Sequence, residues 1–178
     1  MMIRFSLGAA LLALAACATG YALPPQDRAA IATRIAGFEQ AFLRGDTAQI
    51  VNVVPPRMIA AIAAQGGVSE PVLRQEMARL TREATADVRV VSFGLALDSA
   101  TFLTTPSGRP YGLIPTQTVV QTAAGARLQS NTTTLTLEDG GLWHLIRIDD
   151  APQIALMRKV YPDFEGVTFP TGSNRVVQ

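Results

Sequence analysis

Few side chains in this 178-residue sequence have the chemistry of a catalytic group. His144 is the only histidine, and near neutral pH a histidine can act as a general base or hold a ligand. Asp87, Asp98 and Asp149 are its candidate partners, because a catalytic histidine works with a second group that orients it. Strand parity, however, groups His144 with apolar residues, which favours a histidine packed at a sheet face over a catalytic one.

Metal and cofactor sites are not predicted. A zinc or iron site needs three or four converging His, Cys or carboxylate ligands, and the chain has one histidine and one cysteine. Asp150 is better explained as a helix cap than as a cation ligand. No Gly-rich phosphate loop follows a strand, since Gly140-Gly141 precedes one. We therefore expect no metal and no cofactor.

Hydroxyl side chains and arginines are common on the predicted strands. The hydroxyl residues are Thr116, Thr118, Thr122, Ser130, Thr132, Thr134 and Thr136, and no histidine–carboxylate relay is readable around them. We interpret them as strand-surface residues. The strand arginines are Arg89, Arg109, Arg127 and Arg147. One of them could reach into a pocket to hold a carboxylate, although a solvated sheet face explains arginine at least as well.

The N-terminus has the pattern of an export signal. Arg4 precedes an apolar run from Phe5 to Ala16, and small residues follow. The run is shorter than the roughly 20 apolar residues that span a bilayer. Residues 1–22 are therefore predicted to be a signal peptide, which directs the protein to the periplasm or the membrane of a bacterial envelope.

Two cleavage sites compete within this signal. Gly20-Tyr21-Ala22 has small residues at the positions that a signal peptidase reads, whereas Leu14-Ala15-Ala16-Cys17 resembles the lipobox of bacterial lipoproteins. Cys17 is the only cysteine, so it has no disulfide partner, and lipidation or removal with the signal accounts for it. Cys17 is the candidate lipidation site, and both alternatives stay open.

Composition indicates one globular domain. Apolar residues make up 48% of the chain and charged residues 16%, which suits one core of ordinary size. We expect a single domain over residues 23–170 and a flexible tail over 171–178. The 15 basic and 14 acidic residues nearly cancel, so we expect no nucleic-acid partner.

The periodic patterns predict helices followed by a sheet. Apolar residues recur at helical spacing in the first half, and from Asp87 their period changes from 3.6 to 2. The predicted helices are one from Asp27 to Arg44, a short one capped by Asp46, one that ends at Gly66-Gly67, and one capped by Ser69 with Leu73, Met77 and Leu80 buried. After the strand at Asp87, further strands are predicted at about 101–105, 110–122, 126–138 and 142–148, with an antiparallel meander as the simplest pairing. A capping box at Asp150 predicts a short C-terminal helix through Val160.

This order resembles the NTF2-like, or SnoaL-like, cone fold. The last strand of the meander carries Gly141-Leu142-Trp143-His144-Leu145-Ile146, and residues 38–46, FEQAFLRGD, are similar to the family's first helix and turn. The resemblance covers about residues 27–150. It implies an α+β fold in which N-terminal helices pack in a curved antiparallel sheet, with a pocket at the wide end of the cone. The fold hosts isomerases, dehydratases, hydrolases and many non-catalytic lipoproteins, so it implies a cavity and not a reaction.

Three functions are consistent with these features. The favoured one is a non-catalytic envelope protein that binds a small apolar or amphipathic ligand, or another envelope protein. The second is a cone-fold isomerase or hydrolase, which requires His144 to point into the cavity beside a carboxylate. The third is a purely structural homodimer, which predicts an apolar patch on the sheet and no enclosed pocket. Contact with a membrane is expected only through a lipid anchor.

Overall fold

A computed structural model describes residues 20–177, which form an α+β fold. The helices are α1 (Pro25–Arg44), α2 (Thr47–Val51), α3 (Pro56–Gly66), α4 (Glu70–Ala84) and α5 (Ala151–Val160). The strands are β1 (Val88–Leu95), β2 (Thr101–Thr104), β3 (Pro110–Thr122), β4 (Arg127–Asp139), β5 (Leu142–Arg147) and β6 (Ser173–Val177). The lipidation candidate Cys17 and most of the predicted signal peptide lie outside the described residues.

The strands form one strongly curled antiparallel sheet built on the hairpin of β3 and β4. Each of these two strands is long enough to hold two short neighbours along its outer edge. β1 pairs with residues 116–122 of β3, and β2 pairs with residues 110–113. On the other side, β5 pairs with residues 134–139 of β4, and β6 pairs with residues 127–131.

The predicted meander is confirmed for β2, β3, β4 and β5, which pair antiparallel in chain order, whereas β1 pairs with β3 and not with β2. A short 3₁₀ turn at Leu97–Ser99 separates β1 from β2. The two strands can then share one edge of β3, because β2 occupies only its first residues. The register between β1 and β3 shifts between Val90 and Ser92, an irregularity that bends a strand and increases its twist.

The C-terminal residues also differ from the prediction of a flexible tail. Ser173–Val177 form β6, whose register on β4 runs from Ser173 opposite Asn131 to Val177 opposite Arg127. The segment is only five residues long and does not alternate apolar with polar residues, so its sequence carries little strand signal. The edge of β4 that it covers is open because β5 reaches only as far as Thr134.

Local sequence signals fix several helix ends. Gly45 ends α1 with φ +67°, a left-handed conformation that glycine adopts without strain. The predicted caps at Asp46 and Asp150 are confirmed, since their carboxylates accept the backbone N–H groups of Gln49 at 3.2 Å and Gln153 at 2.7 Å. Within residues 20–177, no helix has both the length and the apolar character that crossing a membrane requires.

The fourth helix departs from the sequence prediction. The side chain of Ser69 makes no capping hydrogen bond, and the stripe predicted to be buried is largely accessible. Leu73 and Met77 are half-buried and Leu80 is 51% exposed. The reason is position: α4 packs mainly on α2 and α3, and not on the sheet.

Alternation along the strands divides the core between the two faces of the sheet. On one face, here the α1 face, Ile114, Trp143 and Leu145 pack with Ile31 and Ile35 of α1. On the opposite face, here the α5 face, a second cluster joins the sheet to α5 and the residues after it. Its members include Tyr111, Leu135, Leu137, Ile146, Ile148, Met157, Tyr161 and Phe164. The sheet thus contributes residues to two separate apolar clusters, one on each face.

Candidate ligand-binding cavity

A cavity of about 370 Å³ lies between the helices and the α1 face of the sheet. Its volume falls within the range of small-molecule sites, about 300 to 1,000 Å³. Its apolar side is formed by Phe38, Phe42, Ile50, Val53, Val54, Phe93 and Leu145. Its polar side is formed by Thr81, Thr116, Thr118, Ser130, Thr132, Thr134 and Arg147. The cavity therefore has one apolar wall and one hydroxyl-bearing wall.

Phenylalanines from α1 and β1 build part of the apolar wall. Phe38 and Phe42 are four residues apart in α1, so both project from the same side of the helix. The rings of Phe42 and Phe93 stack with their centroids 4.1 Å apart, and the ring of Phe38 meets that of Phe93 edge-on at 5.3 Å. Contacts of this kind stabilise the wall beyond simple burial.

The hydroxyl wall comes from the β3–β4 hairpin. Thr116 lies opposite Thr132, and Thr118 lies opposite Ser130, so strand alternation directs all four toward the cavity. The hydroxyl oxygens of Thr116 and Thr134 are 2.8 Å apart and form a buried hydrogen bond. In residues 20–177, the hydroxyls of Thr118, Ser130 and Thr132 make no hydrogen bond to the protein. They remain able to donate to a ligand or accept from one.

Arg147 is the charged residue of the cavity wall. It ends β5, opposite Thr134 of β4. Its Nη2 donates to the carboxylate of Asp149, and its side chain is 68% exposed. The side chain of Asp149 is only 11% exposed, so the pair joins an exposed cation to a largely buried anion. By sequence alone, Arg147 is one of four strand arginines and is not distinguished from the other three.

The structure places His144 away from the cavity. His144 is buried on β5 between Trp143 and Leu145, so alternation directs its ring to the opposite, α5 face. Its Nε2 lies 3.2 Å from the backbone carbonyl oxygen of Asp139, while its Nδ1 is buried without a hydrogen-bond partner. Among the described residues, no carboxylate forms a hydrogen bond with His144.

The three proposed carboxylate partners lie elsewhere. Asp98 pairs with Arg28 at 2.6 Å on the surface, and Asp149 pairs with Arg147. Asp87 is exposed just before β1. The described residues therefore do not assemble the histidine–carboxylate pair that the enzyme hypothesis requires.

Burial lowers the pKa of His144 below its ordinary value, and the positive charge of Arg34 lowers it further. We therefore expect the free energy of unfolding to fall as the pH drops from about 7 to about 5.5. The unfolded chain takes up a proton on His144 in this range, whereas the folded protein resists it. The stabilising effect is fully present above the pKa that His144 has in the unfolded chain. It is lost as the pH falls through the lower pKa that His144 has in the folded protein.

Urea denaturation at the two pH values measures this effect, with His144→Gln as the comparison. Because His144 is the sole histidine, the variant should lose most of the pH dependence in this range. An equal loss of stability in both proteins would contradict the assignment.

Another polar cluster lies on the α5 face, around the buried Tyr161. The guanidinium carbons of Arg57 and Arg109 lie 4.9 and 5.5 Å from the centroid of its ring. Arg57 Nη1 is 4.0 Å from Asp139, and Arg109 Nε is 2.5 Å from Asp163. Burial raises the pKa of Tyr161, as does the nearby charge of Asp139. Opposite charges balance here, so the cluster is better explained as a link between α3, α5 and the sheet than as a binding site.

No group of three or more His, Cys, Asp or Glu side chains in the described residues could hold a metal ion. The cavity, which combines an apolar wall with a hydroxyl-bearing one, is the best candidate site in this part of the molecule. In comparisons with known proteins, no protein-family model, no curated protein and no solved structure matches the chain.

Proposed function

We propose that this protein is a non-catalytic binding module of a bacterial cell envelope that holds a small amphipathic ligand in its cavity. The observation that carries the proposal is the division of the cavity into a phenylalanine wall and a hydroxyl wall with one arginine. An apolar surface supplies most of the affinity in such sites, and a few polar groups orient the ligand. The hydroxyls of Thr118, Ser130 and Thr132 are free to do so.

The proposal includes the NTF2-like cone as the fold. Three features support it: a strongly curled antiparallel sheet, a long α1 packed against one face, and a cavity between them. In that fold the pocket lies between the helices and the curved sheet, and residues of both α1 and the sheet line the cavity here. We infer the family from architecture and from the resemblance of residues 38–46 and 141–146.

Titration with N-phenyl-1-naphthylamine, a neutral apolar dye that fluoresces when it leaves water, tests ligand binding. We expect saturable binding of one dye molecule per protein, with the signal lost when urea unfolds the chain. Weak, non-saturating fluorescence like that of an unrelated folded protein would contradict the proposal.

Export followed by lipidation of Cys17 is the second part of the proposal. The backbone N–H of Tyr21 donates to the carbonyl of Phe102 at 2.9 Å, and Gly20 forms an antiparallel bridge with Leu103. Cleavage after Ala22 would remove these contacts with β2, whereas cleavage before Cys17 keeps them. This difference favours the lipobox over the other cleavage site.

We therefore expect Cys17→Ala to move the protein from the membrane fraction to a soluble fraction, or to leave the signal uncleaved. A lipid-modified cysteine adds acyl chains that anchor a protein to a bilayer, and alanine cannot carry them. Fractionation of cells and the mass of the mature N-terminus measure the outcome. A wild-type protein that is soluble and starts at Leu23 would contradict lipidation without affecting the binding proposal.

A further inference from the structure

The charges around the cavity indicate which head group its ligand carries. Arg147 is the only charged side chain that lines the cavity within residues 20–177, and no carboxylate lines it. An anion brought into this space would meet several hydroxyls and the guanidinium of Arg147, one edge of which is already bonded to Asp149. We propose that the ligand is an amphipathic carboxylate whose head group binds Arg147, an inference that rests on the proposed function.

The surroundings of Arg147 suit this role. Its Nη2 is engaged by Asp149, and its remaining N–H groups have no other partner in the described residues. A carboxylate can accept two N–H groups of one guanidinium side by side, which gives both strength and a fixed orientation. Asp149, whose side chain is only 11% exposed, accepts from one edge of the guanidinium, and the Arg147 side chain as a whole stays 68% exposed.

Uncharged donors lie beside the cation. Thr134 is opposite Arg147, and the free hydroxyl of Thr132 is on the same face of the same strand. Hydroxyl groups can donate hydrogen bonds to a carboxylate oxygen without adding charge. The head group would therefore be held by one cation and by neutral donors.

The apolar wall lies at a distance that fits an extended chain. Phe93 of the apolar wall pairs with Thr118 of β3. Arg147 pairs with Thr134 of β4, which in turn pairs with Ile114 of β3, so Thr118 and Ile114 mark the levels of the two residues along β3. The two levels are four residues apart on β3, so a bound tail would run about 13 Å along the strand direction at roughly 3.3 Å per residue, in addition to crossing from β5 toward β1. A head group at Arg147 would thus place an aliphatic tail of medium length against the phenylalanines.

Three probes with the same ten-carbon tail test the head group: decanoate, decanol and decyltrimethylammonium, each below its micelle-forming concentration. Their affinities are measured by displacement of N-phenyl-1-naphthylamine from the wild-type protein. We expect decanoate to bind at least about tenfold more tightly than decanol, and the ammonium compound to bind most weakly.

Variants of Arg147 identify the group responsible. Arg147→Gln should remove the preference for decanoate over decanol, and Arg147→Lys should keep part of it because the charge remains. The double variant Arg147→Gln/Asp149→Asn checks the result without leaving the partially buried Asp149 unpaired.

The outcomes separate this inference from the proposed function. Equal affinity for decanoate and decanol, or an undiminished preference in Arg147→Gln, would overturn the carboxylate assignment and leave the cavity as an apolar site. Failure of all three probes and of the dye to bind would contradict the proposed function itself. A preference for decanoate that disappears in both neutral variants supports the inference.

Discussion

Replacing Thr132 by tryptophan is expected to abolish ligand binding while the protein stays folded. Thr132 is half-buried in the middle of the hydroxyl wall, so an indole at this position would project into the cavity of about 370 Å³ and occupy space that a ligand needs. Because that space is not filled by other side chains, the indole should be accommodated at a small cost in stability. We expect the affinity for N-phenyl-1-naphthylamine to fall by at least about tenfold, or about 1.4 kcal/mol of binding free energy.

Thr133→Trp is the matched control. Thr133 is the next residue of β4, and strand alternation directs its side chain to the other face of the sheet. Both variants introduce the same side chain, so a general effect of tryptophan would appear in both. Dye binding should survive in Thr133→Trp, and thermal unfolding should confirm that both proteins are folded. Undiminished binding in Thr132→Trp would show that the dye binds elsewhere.

Replacing Gly112 by alanine is expected to destabilise the protein by about 1 to 3 kcal/mol. A Cβ atom at this buried position would lie 2.5 Å from Cε1 of Phe102 and 2.8 Å from Cγ2 of Thr136. Thr136 is fully buried and its hydroxyl donates to the carbonyl of His144 at 2.9 Å, so it cannot move freely. The absence of a side chain at Gly112 allows the ring of Phe102 to lie across β3.

Urea denaturation measures this loss, with Gly37→Ala as the control. A Cβ at Gly37 would meet no atom within 4 Å, and this glycine is exposed inside α1. Alanine there should stabilise the protein by about 0.5 to 1 kcal/mol because it favours the helix. Adding Phe102→Leu to Gly112→Ala should recover part of the lost stability. A Gly112→Ala protein as stable as the wild type would contradict the packing described here.

The sequence predicts the parts of the fold that depend on local signals. The predicted strand at 110–122 coincides with β3, and the caps at Asp46 and Asp150 form as expected. These features arise from side chains that act on their own neighbours in the chain. Strand alternation likewise predicts that His144 shares a face with Ile146 and Ile148, and the structure buries all three side chains.

Features that depend on distant segments are not predictable in the same way. The pairing of β1 with β3 and of β6 with β4 depends on which edges other strands leave open. Leu80 is part of an apolar stripe, yet it is exposed because α4 packs on other helices.

The cavity illustrates the same limit. The sequence predicts that five hydroxyl residues lie on a strand surface: Thr116, Thr118, Ser130, Thr132 and Thr134. Alternation does place them on one face, but it carries no information about whether water, a helix or a cavity covers that face. The available signal was the combination of a hydroxyl-bearing face with the phenylalanines of α1, and only the curled sheet brings the two together.

Native mass spectrometry of the protein purified from the envelope of the cells that produce it tests the central claim most directly. We predict a wild-type protein that carries a defined small-molecule adduct, and a Thr132→Trp protein from the same cells that has lost it. A wild-type protein without any adduct, present as a bare monomer or as a ligand-free dimer, would contradict the claim that the cavity is a binding site.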